Sequence, residues 1–290
     1  MKPVGRRLDG DGGVGLHADV WTPAAPEKSL DVLLLHGGGQ TRLSWKRTGE
    51  QLAAHGHRVV ALDSRGHGDS DWAPTADYSM DSMMRDVLAV LRQLGRPALL
   101  VGASMGGLTS LLAAEAAGPR VVPALVLVDI VPHYEKSGSK RVRDFMIGGM
   151  KGFASLEEAA DAIAAYLPHR QRPRDVNGLR KNLRHREGRW YWHWDPAMMA
   201  RPGEEPAYRM DRLERAARSL NIPTLLVYGG KSDVVSRKGI EHMLELAPHA
   251  RVVELPAAAH TAAGDDNDAF ARAVVEFVDS LPGALIESRP

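Results

Sequence analysis

Short apolar runs of strand length alternate with amphipathic helical segments along most of this chain, and this alternation most constrains its fold. Residues 31–36, 58–63 and 97–103 are mainly apolar, as expected of strands buried on both faces of a parallel sheet. Residues 79–94 place apolar side chains three and four positions apart, which predicts an amphipathic helix. Because parallel strands need crossover connections, the pattern predicts an α/β fold with a mostly parallel, doubly wound sheet.

The same alternation predicts further elements on both sides of one interruption. Apolar runs at 4–8 and 14–21 flank a turn rich in Gly and Asp, which predicts an N-terminal hairpin. We expect further helices at 43–55, 105–117, 238–246 and 265–281. Further strands are expected at 121–130, 223–228 and 250–255. Residues 132–215 contain no buried-strand run. We therefore predict a core of residues 1–131 and 216–290, interrupted by a mainly helical cap at 132–215.

The composition excludes several classes of protein. The 290 residues include 37 Lys and Arg against 36 Asp and Glu, whereas a nucleic-acid-binding protein normally has a clear basic excess. The absence of Cys excludes disulfides and thiolate chemistry. No apolar run approaches the ~20 residues that span a bilayer, and no apolar segment of a secretory signal follows the basic N-terminus. We therefore expect a cytoplasmic protein that binds neither nucleic acid nor membranes, either a monomer or a homodimer.

The most specific motif is Gly102-x-Ser104-x-Gly106, which lies where a buried strand ends and a helix begins. In this context, the pattern is typical of a sharp turn that exposes a strained nucleophilic serine. The N-terminus of the following helix directs backbone N–H groups and a positive dipole toward the reacting centre. The alternative is a tight turn that only needs glycine and whose hydroxyl caps the helix. We therefore predict that Ser104 is a nucleophile.

A serine nucleophile needs a base, and the base needs an acid that orients it. His260, in the loop after the last predicted strand, is the candidate base among twelve histidines. Asp233 follows the buried run 225–228 and is the preferred acid, because it occupies the ordinary acid position of this architecture. Asp129, at the end of the preceding strand, is the alternative acid. The predicted triad is thus Ser104, His260 and Asp233.

Acyl transfer also needs donors for the developing oxyanion, each worth about 3–4 kcal/mol. The loop that begins at His36 contains three successive glycines and follows the first long buried strand. We assign the N–H of Gly38, with Gly39 as a further donor, and pair it with the N–H of Met105 after the nucleophile. A phosphate-binding loop is the alternative, but the spacing of the glycines does not match one. His36 and His67 lie within such glycine-rich loops and are expected to orient the backbone.

Together these motifs resemble the α/β-hydrolase superfamily over nearly the whole chain, in its capped, serine-nucleophile branch of esterases and lactonases. The resemblance implies a catalytic triad that cleaves a small carboxylic ester or lactone through an acyl-enzyme, without a metal or organic cofactor. Relatives with an Asp nucleophile, the epoxide hydrolases and haloalkane dehalogenases, are disfavoured because the turn holds Ser104. Cofactor-free haloperoxidase or perhydrolase activity, C–C bond hydrolysis and non-catalytic ligand binding remain alternatives. In Asp63-x-Arg65-Gly66-His67-Gly68, Arg65 is expected to pin neighbouring loops.

The predicted cap contains four aromatic residues within the segment 190–194. In an extended strand, Trp190, Trp192 and Trp194 share one face. That face either lines the substrate pocket or attaches the cap to the core, and the sequence favours neither. Trp45 is a second candidate wall of the pocket, and His133 is a candidate substrate contact.

A basic run precedes these aromatics. Residues 170–189 contain eight Lys or Arg against Asp175 and Glu187. Such a run is usually a solvated helix face, which is the interpretation we prefer. The alternative is that it steers an anionic ester or lactone to the entrance.

Overall fold

The computed structural model describes residues 1–23, 30–168, 172, 174–200, 206–260 and 267–283. Its centre is an eight-stranded sheet with the strand order β1-β2-β4-β3-β5-β6-β9-β10. The strands are β1 Val4–Asp9, β2 Gly15–Trp21, β3 Asp31–Leu35, β4 Val59–Leu62, β5 Ala98–Ala103, β6 Leu125–Val128, β9 Thr224–Gly229 and β10 Arg251–Leu255. β1 and β2 pair with their neighbours in antiparallel fashion, and the other pairs are parallel. The predicted α/β fold with a mostly parallel sheet is confirmed.

The helices are α1 Lys46–Ala54, α2 Met80–Leu94, α3 Met105–Ala117, α4 Lys136–Gly148, α5 Leu156–Tyr166, α6 Ala197–Ala200, α7 Pro206–Ser219, α8 Arg237–Leu246 and α9 Asn267–Asp279. Short 3-10 helices lie at Asp11–Gly13, Arg42–Trp45 and Asn177–Lys181. The ends of α2 follow from its sequence. The hydroxyl of Ser79 accepts a hydrogen bond from the backbone N–H of Ser82, and Gly95 ends the helix in the left-handed conformation.

The central strands bury both faces, which explains why they are apolar without alternation. Every residue of β3, β4 and β6 is buried. Leu33 and Leu35 face the apolar core that contains α2, α3, α7 and α8. Val32 and Leu34 face the opposite core, which contains α1 and α9. Successive side chains of a strand therefore supply two separate cores, as the period of two requires.

The chain between β6 and β9, here called the inserted segment, contains α4 to α7 and an antiparallel hairpin. The hairpin strands are β7 Leu183–Arg186 and β8 Arg189–Trp192, which the sequence pattern did not predict because they are short and partly exposed. Met146, Phe153 and Trp192 belong to a third apolar cluster, within this segment. The expected cap boundary at residue 215 falls inside α7, whose apolar face packs against α3 in the core.

The predicted elements of the core agree with the structure to within a few residues. The exception is the predicted strand 121–130, of which β6 occupies only four residues. The strand ends at Val128 because the next residue, Asp129, has a φ of 48°, outside the extended region. Among the described residues, no helix combines the length and the apolar character needed to cross a membrane.

Close packing of α3 on the sheet generates a stability prediction. A Cβ on Gly107 would collide with the Ile130 side chain and lie 2.8 Å from the carbonyl oxygen of Gly102. Gly107→Ala should therefore lower the free energy of unfolding by about 1–3 kcal/mol, measured by urea denaturation. The control is Gly148→Ala, where a Cβ meets no atom within 4 Å, and stability should stay equal or rise by up to about 1 kcal/mol. Equal stability of Gly107→Ala and the wild type would contradict this packing argument.

Candidate active site

The turn between β5 and α3 holds Ser104 in a strained conformation. Its φ is 47° and its ψ is −114°, a region that costs a non-glycine residue about 1–3 kcal/mol. A Cβ on Gly102 would collide with the carbonyl of Gly106, and one on Gly106 would collide with the carbonyl of Leu35. Both glycines are therefore needed for the turn to pass this close to the sheet. The turn lies at the strand–helix junction that the sequence predicted.

His260 lies within hydrogen-bond distance of this serine. Its Nε2 is 3.1 Å from the Oγ of Ser104, and its Nδ1 is 2.7 Å from the Oδ2 of Asp129. The loop after β10 that carries the imidazole crosses directly over the end of β9, where a Cβ on Gly229 would collide with the backbone of Ala259. This arrangement suits the tautomer in which Nδ1–H donates to the carboxylate and Nε2 accepts a hydrogen bond from the hydroxyl of Ser104.

Asp129 is the carboxylate that orients His260. It is 1% exposed and accepts hydrogen bonds from the backbone N–H of Gly229 at 2.8 Å and the hydroxyl of Ser232 at 2.6 Å, in addition to the imidazole. Its position follows from the sheet, because β5 and β6 are adjacent, with Ala103 opposite Val128. Ser104 follows Ala103 and Asp129 follows Val128, so the two residues leave the sheet side by side at the carboxyl ends of the strands.

The sequence preference for Asp233 over Asp129 is reversed by this geometry. Asp233 lies further along the loop after β9, and its Oδ2 accepts a hydrogen bond from Arg141 at 2.8 Å. That pair links the core to α4 in the inserted segment, and both side chains are substantially exposed. The prediction failed because the loop after β9 turns at Ser232 and directs that hydroxyl, not the next carboxylate, toward the site. Ser232 was missed, since a loop serine carries no distinguishing signal.

The glycine loop after β3 contains one candidate oxyanion donor where the sequence suggested two. The N–H of Gly39 donates to the Nε2 of His67 at 3.2 Å, so it is engaged and the assignment to Gly39 was wrong. The N–H of Gly37 donates to the side chain of Gln40 at 3.2 Å. The N–H of Gly38 makes no hydrogen bond to any residue in the described ranges, and Gly38 lies beside Met105. Met105 begins α3, where backbone N–H groups have no partner within the helix.

Two histidines hold Gly39 from opposite sides. His67 accepts its N–H, while the Nε2–H of His193, on the inserted segment, donates to its carbonyl at 3.2 Å. The Nδ1 of His193 accepts the N–H of Gly68 at 2.7 Å. His36 likewise accepts the N–H of Ser64 at 3.0 Å, so the expectation that His36 and His67 orient the backbone is confirmed. The role of His193 was missed, because only the tertiary structure brings it to this loop.

These imidazoles are neutral. Burial lowers the pKa of His36, His67 and His193 from 6.5 to about 3, and each ring lies close to another. Arg65 holds the neighbouring loop, from Asp63 to Ser70, in place by hydrogen bonds, as predicted from the motif. Its guanidinium donates to both carboxylate oxygens of Asp86, at 2.6 and 2.7 Å.

Two cavities meet at Ser104 and His260. The larger has a volume of about 690 Å³ and extends between the glycine loop and the inserted segment, with Phe145 and Met146 among its lining residues. The smaller, of about 440 Å³, extends toward the N-terminus of α2 and includes Tyr134 in its lining. The two cavities therefore extend from Ser104 in different directions.

Some of the predicted pocket residues line a cavity and others do not. Trp45, Trp192 and Trp194 line the larger cavity. Trp190 and His133 line neither of the two cavities, so those two predictions do not match the structure. Trp190 instead stacks beneath the guanidinium of Arg180 and beside His185. β8 ends at Trp192, so Trp194 lies beyond the strand that carries Trp190 and Trp192.

The basic run before these aromatics does not form the expected helix, but most of its described side chains are exposed, as the preferred interpretation expected: Arg172, Arg174, Arg180, Lys181 and Arg186. Its described part forms a 3-10 helix and the β7–β8 hairpin, and most of its arginines contact the protein; Arg170 lies outside the described residues. Arg184 pairs with Asp69 at 2.9 Å, and Arg189 donates to the backbone carbonyl of Gly152 at 2.7 Å. Lys181 lines the larger cavity with an exposed side chain.

Comparison with known proteins agrees with this architecture. A sequence profile for the alpha/beta hydrolase fold matches residues 32–266. The chain is 31% identical to esterase Rv0045c of Mycobacterium tuberculosis, covering 89% of this chain and 83% of that protein. It is also 31% identical to the sn-1-specific diacylglycerol lipase ABHD11 of Mus musculus, covering 85% and 80%. The crystal structure of an alpha/beta hydrolase from Novosphingobium aromaticivorans superposes with a TM-score of 0.82, at 25% identity over 97% of this chain and 99% of that one.

The buried histidines generate a prediction about pH. Their native pKa values lie below the unfolded value, so between pH 6.5 and 3 the unfolded state binds more protons and stability falls as the pH falls. Each such histidine contributes a slope of about 1.4 kcal/mol per pH unit in that window. His193→Gln should remove one such contribution, measured by urea unfolding at several pH values between 7.5 and 5. The exposed His55→Gln is the control, and its slope should equal that of the wild type. An unchanged slope in His193→Gln would contradict a neutral, buried ring.

Proposed function

Because this chain belongs to the α/β hydrolase fold family, we propose that it is a serine hydrolase that cleaves small carboxylic esters or lactones. The observation that carries the proposal is the continuous hydrogen-bonded series from Ser104 through His260 to Asp129. This is the arrangement of nucleophile, base and orienting acid that acyl transfer requires. The relatives named as an esterase and a lipase support ester chemistry.

In the acylation step, Ser104 attacks the ester carbonyl while the Nε2 of His260 takes the hydroxyl proton. The sharp turn between strand and helix carries the Oγ to the sheet edge, 3.1 Å from the Nε2 that takes its proton. The N–H groups of Gly38 and Met105 donate to the developing oxyanion, each contributing about 3–4 kcal/mol of transition-state stabilisation. His260 then gives its proton to the leaving alcohol.

In the deacylation step, water takes the place of the alcohol. His260 removes a proton from that water, which attacks the acyl carbon, and the proton then returns to the Oγ of Ser104. Asp129 stabilises the imidazolium that forms in both steps and keeps the Nδ1 protonated. Its two other donors, Gly229 and Ser232, keep the carboxylate aimed at the ring.

The two cavities favour a substrate with a group on each side of the scissile bond. The larger cavity has aromatic walls formed by Trp45, Phe145 and Trp192, which suit an apolar group. We propose that the inserted segment is a cap, since it supplies one side of both cavities. The exposed ammonium groups of Lys46 and Lys181 border the larger cavity together with the carboxylate of Glu50. The two lysines would favour substrates that carry a negative charge away from the ester.

The nucleophile is tested with Ser104→Ala. The substitution should abolish covalent labelling by a fluorophosphonate probe and lower kcat for short p-nitrophenyl esters by at least about 10³-fold, because the remaining groups cannot form an acyl-enzyme. Ser110→Ala, on the same helix but bonded to the carbonyl of Gly106, is the control and should retain labelling. Labelling that persists in Ser104→Ala would refute the mechanism.

Parallel substitution of Asp129 and Asp233 tests which of the two carboxylates orients the imidazole. Asp129→Asn should reduce kcat/KM by about 10³- to 10⁴-fold, because it favours the wrong tautomer of His260. Asp233→Asn should change it by no more than a few-fold, since that side chain contacts Arg141 and not the imidazole. Circular dichroism checks that both variants fold. A larger loss in Asp233→Asn than in Asp129→Asn would reverse the assignment.

A further inference from the structure

Three side chains from separate elements converge on the surface at some distance in sequence from the triad. His133 lies in the loop after β6, Glu214 on α7 and His242 on α8. The Oε1 of Glu214 is 3.5 Å from the Nδ1 of His133 and 3.2 Å from the Nε2 of His242. All three ligand atoms lie within 4.8 Å of one another. None of these residues lines either cavity at Ser104, so the group is unused by the proposed reaction.

These separations match those of a tetrahedral metal site. Zn²⁺ binds histidine nitrogen and carboxylate oxygen at about 2.0–2.2 Å, which places neighbouring ligand atoms about 3.3–3.5 Å apart. The two measured nitrogen–oxygen distances, 3.5 and 3.2 Å, fall at this spacing. The remaining pair, the two ring nitrogens, can close to it by rotation of His133, whose side chain is 54% exposed.

The hydrogen bonding of His242 prepares it as a ligand. Its Nδ1 lies 3.2 Å from the Oε2 of Glu245 and donates to that carboxylate, which leaves the Nε2 with a lone pair. The Nε2 is buried and has no hydrogen-bond partner among the described residues, although it faces the Oε1 of Glu214. A lone pair that faces a carboxylate oxygen at this distance is unfavourable, and either a proton or a metal cation between the two atoms removes the repulsion. A carboxylate behind a ligating histidine is the usual outer-shell arrangement of metal sites.

We propose that His133, Glu214 and His242 bind a divalent transition-metal ion, with Zn²⁺ as the ion whose geometry they fit best. Two imidazoles and one carboxylate favour Zn²⁺, Cu²⁺ or Ni²⁺ over Mg²⁺ and Ca²⁺, which prefer oxygen ligands. The exposed side of the site leaves the fourth position to water. Bound metal would tie α7 and α8 to the loop that begins at Asp129, so it stabilises the fold around the proposed catalytic acid without taking part in the chemistry.

Binding is tested on chelator-treated protein that carries no histidine tag. Calorimetric titration with ZnCl₂ should give one site per chain, and titration with Co²⁺ should produce the visible absorption bands of a tetrahedral complex. Zn²⁺ at about 100 times its Kd should raise the Tm by several degrees, because it binds the folded state. Absence of a one-to-one site for Zn²⁺ would overturn the proposal.

Variants assign the ligands. His242→Ala, His133→Ala and the nearly isosteric Glu214→Gln should each abolish the tetrahedral Co²⁺ bands and the rise in Tm. Glu245→Gln should weaken Zn²⁺ binding by about 10- to 100-fold, as expected of an outer-shell partner. The controls His55→Ala and His185→Ala should bind as the wild type does. Unchanged Zn²⁺ affinity in both His242→Ala and Glu214→Gln would show that the metal binds elsewhere and would overturn the proposal.

Discussion

The buried carboxylate of Asp129 is the interaction on which the geometry of the site depends. A carboxylate removed from water is costly unless donors surround it, and here three groups do so: the N–H of Gly229, the hydroxyl of Ser232 and the imidazole of His260. These donors come from the end of β9, the loop after it and the loop after β10. The hydrogen bonds to this one carboxylate therefore position the loops after β9 and β10, and they hold His260 beside Ser104. The parallel register of β5 and β6 is what puts the serine and the carboxylate at neighbouring strand ends.

A second dependence connects the inserted segment to the glycine loop. Gly39 is held through its N–H by His67 of the core and through its carbonyl by His193 of the inserted segment. Because both rings are buried and neutral, each nitrogen has a single role as donor or acceptor. The position of the β7–β8 hairpin is thus coupled to the loop that presents the Gly38 N–H. Displacement of the hairpin would remove the His193 partner of the Gly39 carbonyl and of the Gly68 N–H, which opposes independent movement of the two parts.

The elements of the core could be predicted because their signals are local. A strand buried on both faces needs a continuous apolar run, and an amphipathic helix needs its apolar residues at a period near 3.6. Ser104 could be predicted for the same reason, since the steric demands of its turn are met by Gly102 and Gly106 within the same few residues. The β7–β8 hairpin could not, because partly exposed strands of four residues carry almost no periodic signal.

By itself, the sequence determined the α/β architecture, the turn at Ser104 and the loop of His260, because each depends on residues close together in the chain. Only the tertiary structure decided which aspartate meets the imidazole, which glycine N–H stays available and which histidines share a carboxylate. The contact between Asp129 and Gly229 spans 100 positions, and that between His133 and Glu214 spans 81. Such pairings depend on the direction of side chains at the ends of helices and strands. There, a small change in the backbone can turn a side chain from a buried partner toward solvent.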